Sequence, residues 1–164
     1  LYTLQDEDGE TVGYGHSTWA LIDYDSRQPI NLEQLPDGGF SEALHPEDVP
    51  IAGAGRVRVK SATPCLVHHA AFSDLDINGH VNSIRYLSLI LDTFSKEWHE
   101  RHELKRVEMS YGLEAYAGDE LRVYAEELGE EQWGFEIRRV RPSESEQETL
   151  VVRSIITAPL TVRV

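Results

Sequence analysis

The stretch Asp74-Leu75-Asp76-Ile77-Asn78-Gly79-His80-Val81-Asn82 decides how this 164-residue sequence is interpreted, because a polar loop runs here directly into an apolar helical pattern. The apolar residues that follow recur every three or four positions, on one face of a helix: Ile84, Leu87, Leu91, Phe94 and Trp98. We predict this helix from about Asn82 to His102, with a length of ~30 Å. Its first turns are apolar almost all round, so other elements should enclose that end.

On both sides of this helix, apolar residues alternate with polar ones in the pattern of half-buried β-strands. One strand is predicted from Arg56 to Ala71, leading into the loop. Four more are predicted after the helix, over 107–113, 121–125, 133–137 and 150–158. Since an antiparallel sheet curled around a helix buries it economically, the predicted fold class is α+β.

The first 55 residues have the pattern of a separate part of the chain. Alternation from Thr11 to Asp25 predicts one extended strand, paired in a hairpin with Leu1–Asp6. From Ser26 to Gly55 the composition shifts to Pro, Gly and acidic residues, which is typical of a linker. We therefore divide the chain into 1–25, a linker over 26–55 and a main domain over 56–164. Because Leu1 opens directly into an alternating pattern, we also expect an upstream part of the protein.

The balance of charged residues excludes several classes of protein. Lys and Arg number 15 against 29 Asp and Glu, which gives a formal net charge of −14 and a sequence pI near 4.8. Non-specific binding of nucleic acid or of anionic membranes needs a basic surface, so neither is expected. Cys65 is the only cysteine, which excludes an intramolecular disulfide and a thiolate metal cluster. No apolar run approaches the ~20 residues of a membrane span, and the expected location is cytoplasmic.

Asp74-x-Asp76-x-Asn78-Gly79 also matches the opening of a calcium-binding loop of the EF-hand type. The rest of that loop does not match, because Arg85 occupies the position of the bidentate Glu and no amphipathic helix precedes the motif. His99 and His102 lack the His-Glu-x-x-His arrangement of a zinc site. Neither a metal nor another cofactor is therefore expected.

Asp76, Asn78 and His80 are candidates for chemistry because they lie where the loop enters the apolar end of the helix. The simpler interpretation is that these residues form a turn and that Asn78 or Asn82 caps the helix. It does not account for a polar cluster at an apolar site, where desolvation is costly. The first amides of a helix point outward at the positive end of its dipole, so the N–H groups of Val81 and Asn82 could bind a developing oxyanion. The predicted substrate is a carbonyl compound.

With its continuation Ser83-Ile84-Arg85-Tyr86, the same stretch resembles the second half of the acyl-acyl carrier protein thioesterases of bacteria and plant plastids. The resemblance extends to Met109-Ser110-Tyr111-Gly112-Leu113-Glu114-Ala115, similar to the family's strand with a catalytic Glu, and to Ser17-Thr18-Trp19, similar to the end of its first repeat. Such proteins consist of two tandem hot-dog repeats, each an antiparallel sheet wrapped round a long helix. The resemblance implies that residues 1–25 are the terminal strands of an incomplete first repeat and that 56–164 form the second.

The resemblance also implies a role in fatty acid synthesis, the release of free fatty acid from acyl carrier protein. The catalytic set would be Asp76, Asn78, His80 and Glu114. Because a thioester is already activated, a water deprotonated by Glu114 and oriented by Asn78 and His80 could hydrolyse it without a metal, while Asp76 fixes the loop or His80. Ala115 stands where plant members have Cys, which removes a cysteine nucleophile and favours general-base hydrolysis.

The position of Glu114 has an alternative interpretation. Simple alternation places Glu114 on one strand face with Glu108 and Ser110, opposite Tyr111. A solvated strand face is then the alternative to a catalytic role, unless Gly112 marks a bulge that redirects the Glu114 side chain.

An acidic carrier protein would be repelled by a chain of charge −14, so its docking needs a local basic patch. Two sets of residues are candidates: Arg56, Arg58 and Lys60, or Arg138, Arg139 and Arg141. Two alternative functions stay open, an acyl-coenzyme A thioesterase and a non-catalytic hot-dog module that binds acyl groups or dimerises. A homodimer is a further expectation.

Overall fold

The computed structural model describes residues 1–26, 28–32, 49–141 and 147–161. The chain divides into two compact units, Leu1–Gly53 and Ala54–Val164. Most of the predicted linker, residues 27 and 33–48, lies outside the described residues, as does most of the polar loop before the last strand. The assignment of residues 1–25 to a first repeat stays a prediction.

The first unit contains a two-stranded antiparallel hairpin, β1 (Tyr2–Gln5) and β2 (Thr11–Gly15). The predicted single strand from Thr11 to Asp25 is wrong, because β2 ends at Gly15. Farther along, the Asp23 carboxylate accepts hydrogen bonds from both the amide and the hydroxyl of Ser26, at 2.7 and 2.6 Å. Such a side-chain bond closes a turn, which prevents an extended strand from continuing there.

In its described residues, the second unit is a five-stranded antiparallel sheet packed on two α-helices, with a short 3-10 helix at Phe72–Asp74, which confirms the predicted α+β class. Its strands lie in the order β3-β5-β6-β7-β4. Their bounds are β3 (Leu66–His69), β4 (Arg106–Tyr111), β5 (Glu120–Gly129), β6 (Gln132–Val140) and β7 (Thr149–Thr157).

The predicted 21-residue helix is wrong as a single element, because the segment forms α1 (Ser83–Leu91) and α2 (Lys96–Arg101). Between them the Thr93 amide and hydroxyl both donate to the carbonyl of Ile90, at 3.1 and 2.7 Å. The Ser95 hydroxyl then accepts a hydrogen bond from the Trp98 amide and caps α2. Side chains that satisfy backbone groups at helix ends favour two short helices over one long one.

The core lies between α1 and the sheet. Leu89 and Ile90 of α1 are almost completely buried, in one cluster with inward-facing residues of the strands. These strand residues include Leu121, Val123, Phe135, Ile137, Val152 and Ile156. The Phe94 ring stacks on that of Trp98, with 3.8 Å between the ring centroids, and forms a T-shaped contact with Phe135, with 5.7 Å between the centroids. The turn between the helices therefore also packs on the sheet.

The strand predicted from Arg56 to Ala71 begins only at Leu66. Earlier amides of this segment bond to carboxylates rather than to another strand: Gly55 to Glu108, Val59 to Glu136 and Lys60 to Glu126. Glu136 alternates with the core residues Phe135 and Ile137, so it lies on the outer face of the sheet. The segment therefore lies across that outer face, and buries Val57 and Val59 there.

Candidate active site

Asp76 folds the loop that precedes α1. Its Oδ1 atom accepts hydrogen bonds from the amides of Asn78 and His80, at 2.8 and 3.2 Å. Its own amide donates to the His80 carbonyl at 2.8 Å, and Gly79 turns the chain with a φ of 79°. The Asp76 carboxylate therefore holds the backbone of the loop, which is one of the two roles predicted for it. The other predicted role was to hold the His80 side chain.

A second carboxylate, Asp74, anchors this loop to the rest of the unit and was not among the predicted site residues. It is 5% exposed, accepts a hydrogen bond from the Ala71 amide at 2.8 Å and lies 2.7 Å from Nε2 of His68. Nε of Arg85 in α1 is 2.8 Å from its other oxygen. Burial opposes ionisation, but the Ala71 amide, His68 and Arg85 together hold the pKa of Asp74 below its ordinary value.

The Asp74 site also argues against calcium binding, because its carboxylate faces His68 and Arg85 rather than the carboxylate of Asp76. In the part of the chain that the structure describes, no three His, Cys, Asp or Glu side chains are placed to hold a metal ion.

Glu114 lies in the connection after β4, not on the strand itself. β4 ends at Tyr111, and the Gly112 amide donates to the carbonyl of Val151 at 2.7 Å. The alternation that placed Glu114 with Glu108 and Ser110 therefore does not extend to it. Instead, the Val81 amide donates to the Ala115 carbonyl at 2.8 Å and joins this connection to the loop before α1.

This backbone contact brings together two of the four predicted catalytic side chains. Nε2 of His80 is 3.5 Å from Oε2 of Glu114, and the two side chains are 29% and 42% exposed. Solvent water can therefore reach both groups. Asp76 supports this pair through the loop, whereas the side chain of Asn78 is exposed and forms no hydrogen bond with His80 or Glu114 among the described residues.

The predicted oxyanion donors are not available. The Val81 amide is bonded to Ala115, and the Asn82 amide donates to the Asp74 carbonyl at 2.8 Å. Both N–H groups are therefore used to hold the loop, and Val81 is buried, where an amide needs a partner in the folded chain. The next amide, that of Ser83 at the start of α1, has no acceptor among the residues that the structure describes.

Tyr116 is a site residue that sequence reasoning missed. Its hydroxyl donates to Oε2 of Glu114 at 2.9 Å, and its ring meets that of His80 edge-on at 5.1 Å. Hydrogen bonding to the Glu114 carboxylate raises the pKa of Tyr116 above its ordinary value. Its position two residues after Glu114 is the signal that the sequence offered. In the structure, the Tyr116 amide also donates to the Asp119 carboxylate at 3.0 Å.

The basic residues at the end of β6 and directly after it form ion pairs within the chain. Arg141 contacts both oxygens of the buried Asp119, at 3.0 and 3.2 Å, and Arg139 donates to the Glu114 carbonyl at 2.7 Å. Arg138 pairs with Glu136. These three arginines therefore stabilise the unit rather than form an open basic patch. Arg56 and Arg58, from the other predicted set, are exposed.

Neither helix in the described ranges is long and apolar enough to cross a membrane. The sequence likewise contains no apolar run of the length that a membrane span needs.

Comparison with known proteins identifies relatives of the chain. Residues 60–157 match the family described as acyl-ACP thioesterase C-terminal domain. An oleoyl-acyl carrier protein thioesterase of Arabidopsis thaliana chloroplasts is 28% identical over 123 residues, which are 68% of this chain and 33% of the plant protein.

Two solved structures extend the comparison. The acyl-ACP thioesterase of Bacteroides thetaiotaomicron is 36% identical, with a TM-score of 0.84 over 96% of this chain and 60% of its own. The 12:0-ACP thioesterase of Umbellularia californica shares the fold at 17% identity, with a TM-score of 0.66 over 85% of this chain and 53% of its own. The chain thus spans only part of each relative's length. Its family match covers more than half of its residues, and the chain belongs to the acyl-ACP thioesterase family.

Proposed function

We propose that this site releases free fatty acid from acyl carrier protein by hydrolysing the thioester with a water that Glu114 deprotonates. The observation that carries the proposal is the 3.5 Å contact between His80 and Glu114, because it places an imidazole and a carboxylate together at a solvent-accessible position. Family membership and the likeness to the Bacteroides enzyme support the choice of an acyl thioester as substrate.

In the proposed reaction, the Glu114 carboxylate takes a proton from water as the water oxygen attacks the thioester carbonyl carbon. The tetrahedral oxyanion then collapses, the carbon–sulfur bond breaks, and the leaving thiolate takes the proton from Glu114. The products are a carboxylic acid and the thiol of the carrier. His80 lies against the same carboxylate and orients the water. Assistance from the exposed side-chain amide of Asn78 stays a prediction from the sequence.

The oxyanion needs a donor other than the amides of Val81 and Asn82, which are bonded within the chain. We assign this role to the Ser83 amide, at the positive end of the α1 dipole. Ala115 occupies the position of the plant cysteine and is fully buried, so the proposed mechanism has no covalent intermediate at that residue.

The decisive experiment compares Glu114→Gln with wild type in the full-length protein, with acyl carrier protein and coenzyme A thioesters of several chain lengths. Loss of the general base should lower kcat about 10²- to 10⁴-fold. Glu130→Gln, at an exposed turn position, is the matched control and should retain wild-type activity. Wild-type turnover by Glu114→Gln would refute the general base. Preference for coenzyme A thioesters would favour the alternative substrate, and no turnover of any thioester would favour a binding module.

We further propose that the acidic carrier docks near Arg56 and Arg58, which are exposed. Lys60, the third member of this predicted set, is also exposed but lies 4.0 Å from the carboxylate of Glu126. The double variant Arg56→Glu and Arg58→Glu should raise KM for acyl carrier protein substrates. KM for an acyl-N-acetylcysteamine thioester should not change, because that substrate has neither the acidic carrier nor phosphates. An equal change for both substrates would contradict docking at this place.

A cytoplasmic location and a homodimer complete the proposal. Subcellular fractionation tests the location. Light scattering on the purified full-length protein tests the assembly, where a monomer mass would refute the homodimer.

A further inference from the structure

The carboxylate of Glu114 needs support, because it is 42% exposed and lies in an irregular connection rather than on a strand. A glutamate has three side-chain torsions, and an exposed one loses entropy when it is held in one rotamer. Tyr116 supplies part of this support, since its hydroxyl donates to Oε2 at 2.9 Å. The same oxygen faces Nε2 of His80, so Tyr116 and His80 converge on one atom of the proposed base.

Tyr116 is itself held by groups that lie deeper in the fold. Its amide donates to Oδ2 of Asp119 at 3.0 Å, and Asp119 is 2% exposed. The guanidinium of Arg141 bonds to the same carboxylate and lies 5.2 Å from the centre of the Tyr116 ring. The ring, although Tyr116 is 38% exposed, is therefore contacted both by Arg141 of this ion pair and by the His80 ring.

The backbone of Glu114 is fixed by the same cluster. Nη1 of Arg139 donates to the Glu114 carbonyl at 2.7 Å and lies 3.7 Å from Oδ2 of Asp119. Burial opposes ionisation of Asp119, but Arg141, the Tyr116 amide and Arg139 together hold its pKa below the ordinary value. Asp119 thus stays charged at neutral pH. The cluster therefore holds the Glu114 carbonyl through Arg139 and the Tyr116 amide through Asp119.

We propose that Tyr116 is a positioning residue for the reaction, which holds the ionised Glu114 carboxylate against His80 by a hydrogen bond to Oε2. The inference rests on the proposed role of Glu114 as general base. A hydroxyl that donates to a carboxylate oxygen restricts where that oxygen can lie, and a general base must be held within reach of the proton it accepts. Loss of the hydroxyl should therefore change the orientation of the base.

The test is Tyr116→Phe in the full-length protein, because phenylalanine keeps the ring and its contact with His80. We expect kcat to fall about tenfold or more, as for one hydrogen bond to a charged group, and KM to change less than about twofold. A residue with only a structural role would instead lower the stability of the protein and would reduce the residual activity of Glu114→Gln as well.

Two further variants make the result specific. Tyr124→Phe removes a hydroxyl that also donates to a carboxylate, that of Glu148 away from the site, and should leave kcat as in wild type. Adding Tyr116→Phe to Glu114→Gln should cause no additional loss, because Tyr116 acts through Glu114. If Glu114→Gln abolishes activity but Tyr116→Phe keeps the wild-type rate, the positioning role is refuted. Wild-type activity of Glu114→Gln would instead refute the general base itself.

Discussion

The amide of Val81 donates to the carbonyl of Ala115 across 2.8 Å, and this bond sets the geometry of the site. It pairs the residue after His80 with the residue after Glu114, so the two side chains of the proposed pair leave the backbone side by side. Ala115 is fully buried and belongs to the core cluster, so His80 and Glu114 lie directly next to the core. Tyr86, which contacts the Ala115 backbone, is also in this core, and burial raises its pKa to about 12.

Ala115→Val should lower activity more than its effect on stability would suggest. Added methyl groups at a fully buried position cost about 1–3 kcal/mol of unfolding free energy and move the neighbouring backbone. Movement at Ala115 would separate Glu114 from His80. Thermal unfolding and thioester turnover measure the two effects, with Ala62→Val at an exposed position as the control. Full activity in a stable Ala115→Val protein would show that the Val81 contact does not set the geometry.

Asp74→Asn should destabilise the protein at neutral pH by about 1–3 kcal/mol. The amide group of Asn would place a donor among the donors His68, Arg85 and the Ala71 amide. Urea unfolding at pH 7 measures the loss. Asp92→Asn, at the exposed C-terminal end of α1, is the control and should change stability by less than about 0.5 kcal/mol.

The same variant should change how stability depends on acid pH. The folded-state pKa of Asp74 is below its ordinary value of 3.8. Its ionisation therefore stabilises the fold fully above 3.8, and this contribution is lost as pH falls through the lower folded value. In Asp74→Asn, stability should fall less steeply with pH below 3.8 than in wild type. Parallel curves for the two proteins would show that the carboxylate is not held in its charged form.

The architecture of the second unit could be predicted from local patterns, but the ends of its elements could not. Alternation predicted the strands after the helix, because their inward residues pack on the core. The pattern of apolar residues continued through Phe94 and Trp98 and predicted one helix, since both rings do face the core. Periodicity reports which side chains are buried. It does not report the side-chain hydrogen bonds at Thr93 and Ser95 that end one helix and begin another.

The site divides in the same way. His80 and Glu114 were predicted from residue type and family resemblance, and their 3.5 Å contact supports the choice. The oxyanion prediction for Val81 and Asn82 failed because the two amides bond to the carbonyls of Ala115 and Asp74. Neither bond follows from local sequence, since both depend on how the loop folds. Tyr116 was missed because no sequence pattern connects its hydroxyl with the Glu114 carboxylate, which the structure places 2.9 Å away.

Ser95→Ala tests the division of the helix. The Ser95 hydroxyl caps α2 by accepting from the Trp98 amide, and loss of such a cap costs about 0.5–2 kcal/mol of unfolding free energy. Ser88→Ala is a matched control within α1, where the hydroxyl only bonds back to the Ile84 carbonyl. Chemical denaturation should show a clear loss for Ser95→Ala and almost none for Ser88→Ala. Equal stability of the two variants would contradict the cap.

Gly134→Ala tests whether the segment before β3 is held on the outer face of the sheet. A Cβ atom at Gly134 would lie 2.6 Å from Cγ2 of Val57 and 3.1 Å from a methyl group of Leu128. Val57 must therefore move, and we expect a loss of about 1–3 kcal/mol together with faster amide hydrogen exchange at Val59 and Lys60. Gly129→Ala is the control, because its Cβ would meet no atom within 4 Å. If Gly134→Ala kept wild-type stability and exchange rates, the segment would not be packed against β6. The hydrogen bonds that the amides of Val59 and Lys60 donate to Glu136 and Glu126 would then not hold it in solution.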